Sequence, residues 1–253
     1  MFTIKVIDMP ILPDVLEKHD EGYEDIVDSN LPQIVFTERQ LSETTTKRLE
    51  PFFKEVTKEF GLTDYQIAGG FAVAVGNFES WEFDVHAWHD EVENRYGDID
   101  IYVSPSDFTR LMKSGKYPDF KPNIINHVLT SYFKTKVQIV CKQKFTIQEI
   151  VSSFDFNITG FYIDVVFNQN PVLYRDSELN NFDELFVRRV VKNGSQTTFD
   201  RIEKYLNRYD SIGSIKFENP QLFIDALEKY RKINTVTQPL KKAKKSLDDI
   251  LEF

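Results

Sequence analysis

Two short stretches of this 253-residue chain carry residue types that could handle phosphate chemistry: Gly69-Gly70, which follows Tyr65-Gln66-Ile67-Ala68, and Asp98-Ile99-Asp100. A glycine pair lets the backbone approach a phosphate chain closely, and a helix that begins there presents unpaired N–H groups to it. Carboxylates at i and i+2 leave the same face of a strand. Such a pair suits hard Mg²⁺, which prefers oxygen ligands and keeps contact with substrate phosphates. Two ions about 4 Å apart can stabilise both the attacking and the leaving oxygen of an in-line phosphoryl displacement. A third carboxylate from a neighbouring strand would complete the cage, and Asp155 and Asp164 are the candidates, each between apolar neighbours. Phe154, Phe156 and Ile158 share one strand face, which puts Asp155 on the other. Asp164 has the parity of the phenylalanine face unless Gly160 resets it, so Asp155 is preferred.

The elements that must position these residues are readable from periodicity. Leu49, Phe52, Phe53, Val56 and Phe60 recur at spacings of three and four, predicting a helix over 41–60 that ends at Gly61. DYQIA reads as a strand and FAVAVGNF as a helix. The polar stretch 79–94 reads as an inserted loop, and RYGDIDIYV (95–103) as a strand with Ile99, Ile101 and Val103 inward. SPSDFTRLMKSG reads as a capped helix, KVQIV (136–140) as a strand, and FTIQEIVSSF as a short helix capped by Thr146. FDFNITGFYIDVVF (154–167) reads as one long strand bent at Gly160, and helices are expected at 178–190, 196–209 and 218–233. Together these give an α+β fold, a mixed β-sheet with flanking helices and then a small C-terminal helical region. The expected divisions are an acidic arm and helix (1–60), the catalytic sheet domain (61–175), and a helical neck with a basic tail (176–253).

Composition narrows the function. There is one cysteine, Cys141, which excludes a disulfide framework and a cysteine zinc site. No run of about 18 apolar residues predicts a membrane span, and the acidic N-terminus does not read as a signal peptide, so a cytoplasmic location is expected. The net charge of −9 argues against a polyanionic partner only if it is uniform. Residues 1–100 hold 8 basic and 22 acidic side chains, residues 101–253 hold 23 and 18, and the window 186–245 holds 14 and 6. Positive charge thus gathers where an RNA could lie. With 22 Phe, 11 Tyr and only 6 Ala, usage is that of an AT-rich genome such as a viral one, which would place the protein in a host cytoplasm.

IAGG followed by GDIDIYV resembles the nucleotidyltransferase superfamily with its DNA-polymerase-β-like palm. SSFDFNITGFYID is similar to the Arg-Arg-Asp-Phe-Thr-Ile-Asn-Ala-Leu motif of tRNA CCA-adding enzymes and bacterial poly(A) polymerases. TTFDRIEKYLNRYDSIG is similar to their neck segment, so the resemblance spans about 62–213. It implies a nucleotidyltransferase palm that uses Mg²⁺ and a nucleoside triphosphate, with ATP as the expected one. Gly69 and Gly70 match the pair that contacts the triphosphate, and Asp98 and Asp100 match the metal pair. Asp155 matches the aspartate near the incoming nucleotide, as ligand or neighbour, and Arg201 matches a neck arginine that could approach the nucleotide. The chain departs from those relatives in the insertion at 79–94, in Ser153-Phe154 where they have two arginines, and in its short tail. An RNA 3′ end is the favoured acceptor. Nucleotidylation of a protein or small molecule, and a silent nucleotide-binding regulatory module, are the competing readings.

Other residues carry less. His86 and His89 with Asp90 read as a solvated loop, Trp81 and Trp88 as packing of the insertion, and Cys141 as a structural thiol. The run Lys241-Lys242-Ala243-Lys244-Lys245 reads as a solvated flank. Arg188, Arg189, Lys192, Arg201, Lys204 and Arg208 are balanced between a phosphate-facing groove and ordinary surface charge.

Overall fold

Apolar and polar positions alternate along the short strands, and a computed structural model shows what that alternation builds. It describes residues 34–80, 87–93, 96–117, 120–121, 123–130, 135–179, 182–188, 192–193 and 196–218. In chain order the elements are β1 (Phe36–Gln40), α1 (Glu43–Phe60), β2 (Asp64–Ala68), α2 (Gly70–Ser80), β3 (Ile99–Val103), α3 (Pro105–Lys113), β4 (Phe120–Lys121), β5 (Ile124–Val128), β6 (Lys136–Cys141), α4 (Ile147–Ser152), β7 (Phe161–Val166), β8 (Val172–Asp176), β9 (Glu184–Val187), β10 (Lys192–Asn193), β11 (Gln196–Thr197), α5 (Thr198–Arg208) and β12 (Ser214–Phe217). This is the expected α+β class, a mixed sheet with flanking helices followed by a smaller C-terminal region that contains α5. The larger of two units is drawn from Val27–Ser153 and Thr159–Leu179, the smaller from Phe154–Ile158 and residues 180 onward.

In the larger unit the strands run β1-β8-β7-β2-β3-β6-β5-β4. Every pairing is antiparallel except β3 with β6. One row of registered residues, Leu173, Ile163, Ile67, Ile101, Ile139 and Ile125, crosses six strands, and each is at most 2% exposed. Burying each such side chain stabilises the fold by about 1.5–3 kcal/mol. One residue further along every strand the side chains face the other way, and that row reads Tyr174, Tyr162, Ala68, Asp100, Gln138 and Asn126.

α2 lies on the apolar face, close enough that a Cβ on Gly76 would overlap the Phe161 ring. α1 forms as its periodicity predicts. Ser42 caps it, with its hydroxyl accepting from the Thr45 N–H, Leu49, Phe52, Val56 and Phe60 are buried, and the helix ends at Gly61. Pro51 removes one ladder donor on an exposed face of the helix. The two helices are tied by a buried carboxylate at the C-terminal end of α2. Glu79 accepts from the Ser42 N–H at 3.2 Å, from the Ser42 hydroxyl at 2.7 Å and from the Thr45 hydroxyl, while Arg39 Nη1 donates to the Glu79 carbonyl at 2.6 Å. In α4 the Thr146 hydroxyl and the Glu149 carboxylate form a reciprocal capping box.

The structure departs from the sequence expectations in three places. The stretch 79–94 is less of a loop than its polarity suggests: α2 runs to Ser80 and a π-helical turn spans His89–Glu93. Trp88 and Val92 are buried there, with Trp88 edge-on to Phe78 at 5.1 Å, which is the packing role expected for Trp88. Trp81 and His86 lie outside the described residues. The segment 154–167 is not one strand. A 3₁₀ turn at Asn157–Thr159 divides it and resets the alternation, so Asp164 points away from Phe161, Ile163 and Val165. The span expected as a helix at 178–190 contains β9 instead, because Leu185 and Val187 are buried at a period of two and the strand pairs in parallel with β12.

The smaller unit packs α5 through Ile202 and Tyr205, with Phe156 edge-on to Tyr205 at 5.4 Å and bridged to Val187. α5 answers the helix expected at 196–209. The helix expected at 218–233 and the lysine run at 241–245 lie outside the described residues.

Candidate functional site

At the end of β2 the chain turns through Gly69, with φ of 77°, into α2, and the Gly69 carbonyl accepts from the Val73 N–H at 3.1 Å. The backbone angle favours glycine here, and a Cβ on Gly69 would lie 2.5 Å from Asp100 Oδ2 and displace that carboxylate. The Asp100 carboxylate therefore packs against the turn that opens α2. The first N–H groups of a helix lack intrahelical partners and form its positive end.

Asp98 stands one residue before β3. Its Oδ2 accepts from Gln138 Nε2 at 2.8 Å, with Lys136 Nζ 3.7 Å from the same oxygen. Its Oδ1 has no hydrogen-bond partner among the described residues, and the side chain is 35% exposed. Gln138 registers with Asp100, which places Asp98 and Asp100 on one face, opposite Ile99 and Ile101. Gly69, Gly70, Asp98 and Asp100, singled out in the sequence, thus lie where β2 ends and β3 begins, at the centre of the strand order.

Asp164 shares that face one row along. It accepts from Gln66 Nε2 at 2.7 Å, and Gln66 Oε1 accepts from Lys142 Nζ at 2.5 Å. In the Asp100 row, Tyr162 stacks on Tyr174 with centroids 4.6 Å apart and its phenol accepts from Gln148 Nε2 at 2.8 Å. Burial first, and the Tyr174 hydroxyl second, pushes the Tyr162 phenol well above its usual range, so it is a neutral group at the site.

Asp155 has a different setting in the smaller unit. Its Oδ2 accepts from Thr198 Oγ1 at 2.9 Å and from Arg201 Nε at 2.9 Å and Nη2 at 2.5 Å, and its backbone carbonyl accepts from the Arg188 N–H. The two charged side chains are 7% and 13% exposed. Asp155 and Arg201 are thus brought together as a buried ion pair that joins the 154–158 segment to α5.

The metal question turns on the donor set. Among the described residues no group of three or more His, Cys, Asp or Glu side chains is arranged to hold an ion. Asp98 and Asp100 are hard oxygen donors of the kind Mg²⁺ takes in ones and twos, with phosphate and water completing the shell. His89 is exposed and bonded to Glu93 at 2.6 Å, which raises its pKa, and Cys141 is buried. Gln138, Lys136, Gln66 and Lys142 are the site residues that sequence reasoning passed over. The alternation in KVQIV already turns Gln138 outward, but only the register reveals that it faces Asp100.

No protein-family model matches the chain, and no curated protein matches it in sequence. Among solved structures it is similar to a CCA-adding enzyme in complex with CTP, at 16% identity and a TM-score of 0.44. The match covers 78% of this chain and 46% of that one, so the chain spans just under half of the solved enzyme. Among the described residues no helix is long and apolar enough to cross a membrane.

Proposed function

We propose that the protein is a Mg²⁺-dependent nucleotidyltransferase, which transfers a nucleoside monophosphate from an NTP, ATP first among them, to an acceptor hydroxyl and releases pyrophosphate. The observation that carries this reading is the packing of the Asp100 carboxylate on Gly69 at the start of α2, with Asp98 on the same face. A carboxylate pair beside a helix N-terminus suits a triphosphate whose α-phosphate lies at the acids and whose outer phosphates meet backbone N–H groups. Asp98 and Asp100 would hold Mg²⁺, which supplies charge neutralisation on the phosphates during in-line displacement. The Gly69-Gly70 backbone orients the triphosphate, and the apolar row behind β3 keeps the two carboxylates in register. Asp155 serves by holding Arg201 at the start of α5. The basic window 186–245 would meet an RNA 3′ end.

The test is label transfer from each α-³²P-NTP to mixed RNA by the full chain. RNase-sensitive label that disappears in Asp100→Asn supports the reading. RNase-resistant, protease-sensitive label moves the acceptor to protein. Nucleotide binding with no transfer to RNA, protein or small molecules sinks the enzyme reading in favour of a regulatory module.

A further inference from the structure

The row that carries Asp100 has a neutral residue on each side: Ala68 on β2 and Gln138 on β6. β6 is the parallel neighbour of β3, and Gln138 registers with Asp100 on the same face, where a third carboxylate would register if the site were a three-acid cage. The residue there is instead an amide, and its Nε2 donates to Asp98 Oδ2 at 2.8 Å. The Lys136 ammonium lies 3.7 Å from that same oxygen. Asp98 Oδ2 is therefore committed to the protein, and Oδ1 is the oxygen left to face a cation. Two further strand carboxylates on this face, Asp164 on β7 and Asp64 on β2, stand one and two rows from Asp100, and Asp164 is bonded to Gln66.

Resting on the nucleotidyltransferase reading, we infer that Gln138 is a positioning residue that orients Asp98, and that by holding the third-acid position with a neutral amide it makes divalent-ion binding depend on nucleotide. Two carboxylates, one of them partly offset by Lys136, attract a free dication weakly. Mg²⁺ gives up its water reluctantly and is held well by one or two carboxylates only when substrate phosphates supply further oxygens. The ion therefore enters with the triphosphate. A glutamate at 138 would add a full negative charge within reach of the same ion and remove that dependence.

The experiment measures Mn²⁺ retained by the full chain in equilibrium dialysis, with α,β-methylene-ATP present on both sides or absent, and follows each variant's fold by thermal melting. In the wild type the nucleotide analogue is expected to tighten Mn²⁺ at least tenfold. Gln138→Glu is expected to bind Mn²⁺ at least tenfold more tightly than wild type without nucleotide, and to gain much less from the analogue. Gln138→Ala, with an unchanged melting temperature, is expected to weaken analogue-assisted Mn²⁺ binding several-fold, and Gln138→Asn to weaken it less. If folded Gln138→Glu binds free Mn²⁺ no better than wild type, or folded Gln138→Ala matches wild type, the inference fails. Asp98→Asn separates the two levels. If it leaves analogue-assisted binding intact, the nucleotidyltransferase site is wrong. If it removes that binding while the Gln138 variants behave as wild type, the site stands and only the role of Gln138 falls.

Discussion

Asp155 and Asp100 look alike in the sequence, each an acid flanked by apolar residues at i−1 and i+1, yet the two units use them in opposite ways. Asp155 is 5% exposed and has its Oδ2 surrounded by Thr198 and both Arg201 donors. Asp98 and Asp100 sit half-exposed on a sheet face, packed against a glycine turn and an amide. A buried carboxylate must be paired, because its desolvation is otherwise uncompensated. A half-exposed carboxylate can wait for a ligand. The difference predicts which acid supports folding and which supports chemistry.

The largest expected effect is on the first of these. Asp155→Ala strands the Arg201 guanidinium and is expected to destabilise the protein by about 3–5 kcal/mol, read by urea or thermal unfolding. Asp98→Asn and Asp100→Asn are expected to reverse that pattern, with stability within about 0.5 kcal/mol of wild type and nucleotidyl transfer lowered by at least about 10²-fold. Equal losses of stability in Asp155→Ala and Asp100→Asn would erase the distinction. Gly69→Ala sharpens it from the backbone side. The left-handed φ and the approach of Asp100 Oδ2 are expected to cost about 1–3 kcal/mol and to lower transfer together with stability.

The smallest effect lies far from either acid. Thr146→Ala removes the α4 cap and is expected to cost about 0.5–2 kcal/mol. The Thr146 backbone N–H first, and its hydroxyl second, hold the Glu149 carboxyl below its usual value. That contribution is present above the unfolded glutamate value of about 4.3 and is lost as the pH falls through the lower folded value. The gap between wild type and Thr146→Ala should therefore narrow on acidification in pH-resolved melts.

Much of the larger unit was legible because its signals are local. Gly61 closes α1, Thr146 announces α4, and Ile99, Ile101 and Val103 declare one face of β3. What escaped depends on partners distant in sequence. β8 is a five-residue segment ending in Arg175-Asp176 and becomes a strand by pairing with β1 and β7. Phe182 and Leu185, three apart, imitate a helical stripe, although the parallel β12 draws 184–187 into a strand. The face of Asp164 depended on a 3₁₀ turn that parity counting does not foresee. The Asp98-Ile99-Asp100 pair and the glycine turn were readable from type and spacing, whereas Gln138 became visible only once β6 was laid beside β3.

Glu79 has a mechanical consequence. It clamps the far end of α2 to the start of α1, and Gly76 seats the middle of α2 on Phe161, so the helix is a beam held at one end and along its underside. The remaining end is the one that opens at Gly69-Gly70 beside Asp100. Phe71 in that first turn is buried, 5.9 Å from the Phe52 ring and edge-on to Tyr96 at 4.8 Å, so the opening of the helix beside the carboxylates is wedged in place from both ends.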